Sequence, residues 1–270
     1  MAITTLDGVL AGAQAPVFFT KAVTPTLVAG KPQSLWGLAG NPGAGTYSTA
    51  LTGTALSSTA ALVTGQLNFV DPVTGNSYLN RFQGCATIPG VLVLADRLWH
   101  NGGFNQNTTV AQTMTSVTLP ARDLSGTTAG AGVLAALEIS AGASAQAPTI
   151  TLVYTNSGGT GSRTATNTWP TANSPAAGSM FPIGLQAGDV GIKIADNLTL
   201  SVGWTTGTMN LVLYRPLVAL ELVAAYIPNA VDALTSNFPR LFNGTVPFMY
   251  FIPQTTTASY ISGQYAYTQG

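Results

Sequence analysis

The stretch Ala95–Asn107, ADRLWHNGGFNQN, contains residue types that could act in catalysis, because Asp96 lies four residues before His100, the one histidine of the chain. An Asp–His pair could serve as an oriented general base. The two side chains would meet on a helix, where residues i and i+4 are neighbours. The preceding VLVLADRL predicts a strand, in which such positions lie about 13 Å apart on one face. We therefore interpret the stretch as a loop that ends a strand, with Asp96 and Arg97 paired outward and Trp99 as its anchor.

The remaining candidates for chemistry are weak. A serine hydrolase would need a GxSxG turn, which the sequence lacks. One histidine and one cysteine, Cys85, cannot supply the ligands of a zinc site. Asp189 and Asp196 flank Gly191, but the oxygen ligands that a calcium loop carries at alternate positions are missing, so we expect Asp189 to cap a turn. We predict no catalytic residue, no cofactor and no metal site.

Several other side chains have structural interpretations. We expect Cys85 to be a buried apolar thiol, and the adjacent Arg122 and Asp123 to form a surface ion pair. Trp99, Trp169 and Trp204 could stack on sugars, but no set of carboxylates and amides surrounds them in the sequence. Packing in a core or an interface is the better interpretation of the three.

Composition restricts the class of protein. The 270 residues include nine Lys and Arg and nine Asp and Glu, so charged residues make up 7% against 46% hydrophobic residues. The scattered cations argue against nucleic-acid binding, which needs them clustered. The apolar run Leu211–Ile227 contains Arg215, Pro216 and Glu221, which argues against a membrane span. The N-terminus has no basic residue before its apolar part and predicts no signal peptide.

A surface so poor in charge favours association. We therefore expect the chain to cover part of its surface with copies of itself, as a ring or a trimer, or with other proteins. Neither nucleic acid, nor a membrane, nor a small-molecule substrate is an expected partner.

The pattern of the chain predicts a mainly β protein, an antiparallel β-sandwich of jelly-roll type with extended, loop-rich arms. Residues 86–218 contain runs such as TITLVYT and TMNLVLYRP, which alternate in polarity and are separated by Gly, Asn and Ser turns. YTNSGGTGSRTAT predicts a hairpin whose strands end at Thr155 and resume near Arg163, and Pro216 predicts the end or edge of a strand. Residues 1–85 are rich in Gly, Ala and Thr and predict an arm or small subdomain, with a short helix near Thr4–Ala13.

Residues 219–270 predict a C-terminal segment with a short helix after Pro228 and an aromatic, charge-free arm. An arm of this kind would pack on the body or on a neighbour. The candidate subunit-contact residues are aromatic or polar side chains of this arm and of the stretch after Ala95. They are Trp99, His100, Phe104, Phe248, Tyr250, Phe251, Tyr265 and Tyr267.

The segment from about Gly90 to Pro216 resembles virion structural proteins of tailed bacteriophages. The likeness lies in VLVLADRLWHNGGFNQN, YTNSGGTGSRTAT and LQAGDVGI. It implies a non-enzymatic virion component that coats or joins a particle. Within that class we favour a capsid decoration or minor capsid protein that contacts itself and other virion proteins such as the major capsid protein. The implied location is the virion, assembled in the host cytoplasm. A neck, tail, tube or receptor-binding, carbohydrate-binding component is the alternative, and a hydrolase acting through His100 is a third class.

Overall fold

The computed structural model describes residues 3, 5–114, 118–168, 174–233 and 239–270. These residues form 17 strands, numbered in chain order, and the short helix α1 (Leu6–Ala11). All strand pairs are antiparallel, so the prediction of a mainly β, antiparallel sandwich is confirmed. The strands form three sheets, whereas a single jelly roll has eight strands in two sheets.

The largest sheet has seven strands and lies at the centre of the fold. Its longest members, β13 and β6, are neighbours and pair along almost their whole length. In spatial order its strands are β11 (Met180–Ile183), β8 (Leu134–Ala141), β13 (Thr208–Leu222), β6 (Gly90–Asn101), β16 (Pro247–Pro253) and β2 (Gln33–Ser34), with β4 (Thr54–Ala55) paired to β6.

Two further sheets pack on this central sheet. The four-stranded sheet contains β10 (Arg163–Thr168), β9 (Thr149–Asn156), β12 (Ile192–Leu200) and β7 (Gln112–Thr113) in that order. The six-stranded sheet contains β14 (Asn229–Asp232), β5 (Ser77–Ala86), β17 (Ser259–Gln269), β1 (Val17–Val23) and β3 (Gly40–Asn41), with β15 (Arg240–Leu241) paired to β5.

One face of the central sheet carries two hydrophobic cores. Alternation along β13 places Leu211 and Leu213 on this face, where they pack with the four-stranded sheet. Farther along the same strand and face, Leu220 and Leu222 pack with the six-stranded sheet. The sandwich is therefore one shared sheet covered on the same face by two others.

The opposite face of the central sheet carries a third core. It contains Trp36, Val212, Tyr214, Phe248 and Tyr250, all buried. Phe248 meets Tyr214 edge to face, with the two ring centroids 6.1 Å apart. The long segment between β2 and β5 covers this face and contributes Trp36 to it.

The prediction of extended terminal arms is wrong, because β1, near one end of the chain, pairs with β17, near the other, within one sheet. β17 lies between β5 and β1, so the first and last segments build one sheet together. β16 pairs with β6 along Pro247–Pro253 in the central sheet. The physical reason is that β16 carries no charge and its apolar side chains face two cores. Their apolar surface is therefore buried within the chain itself.

Local predictions have mixed outcomes. The hairpin is confirmed, with β9 ending at Asn156 and β10 beginning at Arg163. The capped helix is confirmed as α1, where the Gly8 amide donates to Thr5 Oγ1 over 3.1 Å. Pro216 neither ends β13 nor lies on an edge, because a shift in register beside it accommodates the missing donor.

The predicted short helix after Pro228 differs from the structure at its start. Asn229–Asp232 form strand β14, which pairs with β5. The rest of the predicted helix falls mainly on residues 234–238, which lie outside the described residues.

Candidate functional site

Asp96 and His100 lie on opposite faces of the central sheet. Both belong to β6, which runs on to Asn101 and does not end in a loop at this point. A register shift at Leu98 reverses the alternation, so that Asp96 lies opposite Arg215 and His100 lies opposite Val212. An Asp–His catalytic pair therefore does not form. The predicted outward pair of Asp96 and Arg97 is also wrong, because each side chain pairs inward with a different partner.

Arg97 is the centre of a buried polar group on the face of the third core. Its Nη2 donates to Glu138 Oε2 over 2.7 Å and to His100 Nδ1 over 3.3 Å. Its guanidinium carbon also lies 4.5 Å from the centroid of the Trp36 ring. Burial, with the charge of Arg97 second, lowers the pKa of His100 to about 3, so this histidine is neutral at physiological pH. A neutral histidine bound to an arginine orients that arginine and is not placed to act as a base.

Asp96 anchors a second buried group on the other face. Arg122 binds it in bidentate fashion, with Nε 3.0 Å from Oδ2 and Nη2 3.2 Å from Oδ1. The Val246 amide donates to Oδ1 over 2.9 Å, and Arg215 Nη2 lies 3.9 Å from Oδ2. These contacts join β6, β13, the segment before β8 and the segment before β16, between the two hydrophobic cores. Their chemistry is structural.

Arg122 and Asp123 do not form the predicted surface pair, since both are buried. The Asp123 carboxylate accepts hydrogen bonds from the Thr127 amide at 2.7 Å and the Gly130 amide at 3.0 Å. Burial alone would raise the pKa of Asp123, but the hydrogen bonds outweigh it and hold the pKa below its usual value. Asp123 thus fixes the glycine-rich loop before β8.

Asp189 stabilises a turn, as the sequence predicts. Tyr154, Asn156 and Arg163 donate to its carboxylate over 2.5, 2.7 and 2.8 Å. The bond from Arg163 holds the pKa of Asp189 at about 2. Because its oxygens already accept these donors, Asp189 is not arranged as a calcium ligand. No group of three or more His, Cys, Asp or Glu that could hold a metal occurs among the described residues.

The structure buries all eight predicted contact side chains inside their own chain. Each is at most 8% exposed. Trp99 and Phe104 belong to the core against the four-stranded sheet, and Phe248 and Tyr250 belong to the third core. This removes the observation on which the contact prediction rested, because the aromatic side chains already have partners. The remaining members are His100 beside Arg97 and, in the core against the six-stranded sheet, Phe251, Tyr265 and Tyr267.

The burial of the tryptophans and of the cysteine agrees in part with the sequence predictions. Trp99 and Trp204 are completely buried, which confirms the prediction that they pack in a core. Trp169 lies outside the described residues. Cys85 is half-buried, and its Sγ lies 3.4 Å from Ser262 Oγ, so the predicted thiol is less buried than expected. Within the described part of the chain, no helix is long and apolar enough to cross a membrane.

Sequence reasoning missed a polar group at the end of the central sheet. Glu138 and Asn210 are register partners on β8 and β13, and Ser140 and Thr208 lie just beyond them. The signal was present in the sequence, because EIS and TMN each place polar residues two apart in an otherwise apolar strand. Tyr47, from the segment that covers this face, completes the group. Burial, followed by the charge of Glu138, raises the pKa of the Tyr47 hydroxyl well above its usual range.

No family model and no curated protein matches this chain. Among solved structures, the chain is similar to one in the structure of infectious bursal disease virus, Gt strain, at 10% identity and a TM-score of 0.20. The match covers 95% of this chain and 82% of that one. It is also similar to the chain of the infectious bursal disease virus VP2 subviral particle, at 10% identity and a TM-score of 0.22, covering 96% and 81%. TM-scores this low do not establish a common fold, and the likeness therefore carries no weight for function.

Proposed function

We propose that this chain is a non-enzymatic structural protein of a tailed-bacteriophage virion, specifically a capsid decoration or minor capsid protein. In this role it stabilises the shell by contacts with copies of itself and with other virion proteins such as the major capsid protein. The alternative is a neck, tail, tube or receptor-binding component of the same particle.

The observation that carries the proposal is the shortage of charge on the surface. All 18 charged residues lie in the described part of the chain. Seven of them are buried, so eleven remain to contact water over an accessible surface of 10898 Å². The surface of a soluble domain usually contains about 25–35% Lys, Arg, Glu and Asp, and a net charge near zero favours association. The seven buried residues are Lys21, Asp96, Arg97, Arg122, Asp123, Glu138 and Arg215.

Exposed apolar side chains support the same role. Four of them surround the turn between β5 and β6 and are each half to three-quarters exposed. The Tyr226 amide donates to Ala86 O over 2.8 Å and the Tyr260 amide donates to Thr87 Oγ1 over 3.0 Å, which fixes both tyrosines beside this turn. We call the four side chains the turn patch. Its members are Val223, Tyr226, Ile227 and Tyr260.

The turn patch is suited to contact between copies. Apolar area that leaves water contributes about 25 cal/mol per Å², and contiguous exposed apolar side chains mark interaction surfaces. Unlike the eight aromatic and polar residues predicted from the sequence, these four are accessible to a neighbour.

Electron microscopy of particles labelled through this chain tests the proposal. An epitope inserted at Gly159 suits the purpose, because this residue lies in the exposed β9–β10 loop and has open space around it. We expect regular labelling over the shell of purified particles. Labelling confined to the neck or tail would favour the alternative, and particles that lack the chain would contradict a virion role.

A further inference from the structure

A pocket of about 310 Å³ opens at the end of the central sheet, beside Glu138. Its floor is formed by Ser140 of β8 and by Thr208 and Asn210 of β13, and Tyr47 and Phe104 line its sides. This volume is at the lower end of the range of small-molecule sites, which start at about 300 Å³. The pocket therefore has room for one small ligand or one unit of a larger one.

The floor is a connected row of neutral polar groups. Ser140 Oγ lies 2.8 Å from Thr208 Oγ1, and Asn210 Nδ2 donates to Ser140 Oγ over 3.2 Å. A hydroxyl is both a donor and an acceptor, with two lone pairs. Since Thr208 is exposed, its hydroxyl retains capacity for a further hydrogen bond on the side of the pocket.

Asn210 has hydrogen-bonding capacity that its own chain does not use. The residue is 1% exposed, and its Oδ1 has no hydrogen-bond partner. Rotation of the amide would exchange its oxygen and nitrogen, and either atom could meet Ser140. In both orientations one polar atom of a buried amide lacks a partner, which costs free energy. Asn210 is enclosed by its own chain, so its part in the pocket is to hold the Ser140 hydroxyl in place.

The charge of the site selects a neutral ligand. The described residues that line the pocket carry no charge. Glu138, two residues before Ser140 on β8, is neutralised by Arg97 in a buried pair of 2.7 Å. An ionic ligand would lose hydration without gaining a counter-charge. A ligand with several hydroxyl groups and an apolar ring face fits both the polar floor and the aromatic sides.

The rim of the pocket is held in place by the backbone. The Gly102 amide donates to Ala50 O over 2.9 Å, and the Ala50 amide donates to Ser48 Oγ over 3.3 Å. A Cβ atom on Gly102 would lie 1.9 Å from Ser48 O, so only glycine allows the strand end and the covering segment to approach this closely. A preformed site loses little entropy on binding.

From these observations we propose that the pocket binds a neutral polyhydroxylated ligand, a single sugar unit of a glycan. Ser140 and Thr208 bind its hydroxyl groups, Asn210 holds Ser140 in place, and Tyr47 and Phe104 contact its ring. Neither Trp99 nor Trp204 lines this pocket. The inference does not depend on the structural role proposed above, because sugar binding and assembly are measured separately.

Ligand-observed NMR with the full chain tests the proposal. The probes are methyl glycosides of glucose, galactose, mannose and N-acetylglucosamine at millimolar concentration, with sialic acid as an anionic probe and glycerol as a simple polyol. We expect at least one neutral glycoside to bind, and sialic acid and glycerol not to bind. Binding of glycerol equal to that of the glycosides would contradict a sugar site.

Substitutions in the pocket test its position. Thr208→Val and Ser140→Ala should each weaken binding of that glycoside about tenfold, the equivalent of about 1.4 kcal/mol. Thr160→Val, in the exposed β9–β10 loop, is the matched control and should leave binding unchanged. Thermal unfolding of each variant establishes that it folds. The proposal is overturned if no neutral glycoside binds, or if folded Thr208→Val and Ser140→Ala both bind like the natural chain.

Discussion

Arg97 donates from Nη2 to Oε2 of Glu138 over 2.7 Å, and both side chains are withdrawn from solvent. Arg97 lies on β6 and Glu138 on β8, with β13 between them in the central sheet. The pair therefore spans three strands on the face that carries the third core. A chain with so few charged residues uses this pair, and that of Asp96 with Arg122, inside the fold.

Removing the charge of Glu138 should destabilise the protein strongly. Glu138→Gln leaves the Arg97 guanidinium buried without a counter-charge, and breaking a buried pair in this way costs about 3–5 kcal/mol. Urea unfolding measures the loss. The matched control is Glu221→Gln at an exposed position, which should change the free energy of unfolding by less than about 0.5 kcal/mol. Equal stability of the two variants would show that the Arg97–Glu138 pair contributes nothing.

Stability should fall in mild acid because of His100. Its pKa is about 3 in the folded protein and about 6.5 in an unfolded chain, so the unfolded state binds the proton first. The free energy of unfolding should therefore decrease as the pH falls from about 6.5, with a limiting slope of about 1.4 kcal/mol per pH unit. The lowered pKa values of Asp123 and Asp189 act below about pH 5 and add to the loss there. The raised pKa of Asp196 has the opposite sign, because the folded state then binds the proton first.

Substitution of His100 isolates its part of that slope. His100→Gln retains an acceptor for Arg97 but does not titrate, so the slope of its stability between pH 5 and 6.5 should be much smaller than that of the natural chain. Chemical unfolding across this range provides the comparison. If the variant kept the slope of the natural chain, His100 would not be its source.

Deletion of Pro247–Gly270 should unfold the protein. The deleted segment contains β16, from the central sheet, and β17, from the middle of the six-stranded sheet, together with the buried Phe251 and Tyr265. Circular dichroism and backbone NMR should show loss of cooperative structure. A folded body after deletion would support the terminal arm that the sequence predicts.

Much of the fold was predictable, because strand pattern is local. The alternation in TITLVYT and the glycines of NSGGTGS were sufficient to predict the β9–β10 hairpin. The sequence also predicted that Asp96 and His100 do not pair, but it placed them far apart on one face of a strand. In the structure the register shift at Leu98 separates the two faces, and nothing in the local sequence marks that shift.

What the sequence did not predict depends on distant partners. An aromatic strand without charge, such as PFMYFIP, has the same pattern in an arm as in a core, and pairing with β6 decides between them. Asp96 and Arg97 appeared to be a surface pair because their true partners, Arg122 and Glu138, are 26 and 41 residues away. The pocket was missed for the same reason, since Tyr47, Ser140 and Thr208 come from three separate segments.

Sedimentation equilibrium at micromolar concentration tests the central claim that this charge-poor surface is covered by neighbours. We predict a homo-oligomer for the natural chain, and smaller species for the double variant Ile227→Lys, Tyr260→Lys, which places charge in the turn patch. Val190→Lys, a similarly exposed apolar position elsewhere, should retain the assembly. A natural chain that sediments as a monomer at every concentration would contradict the account.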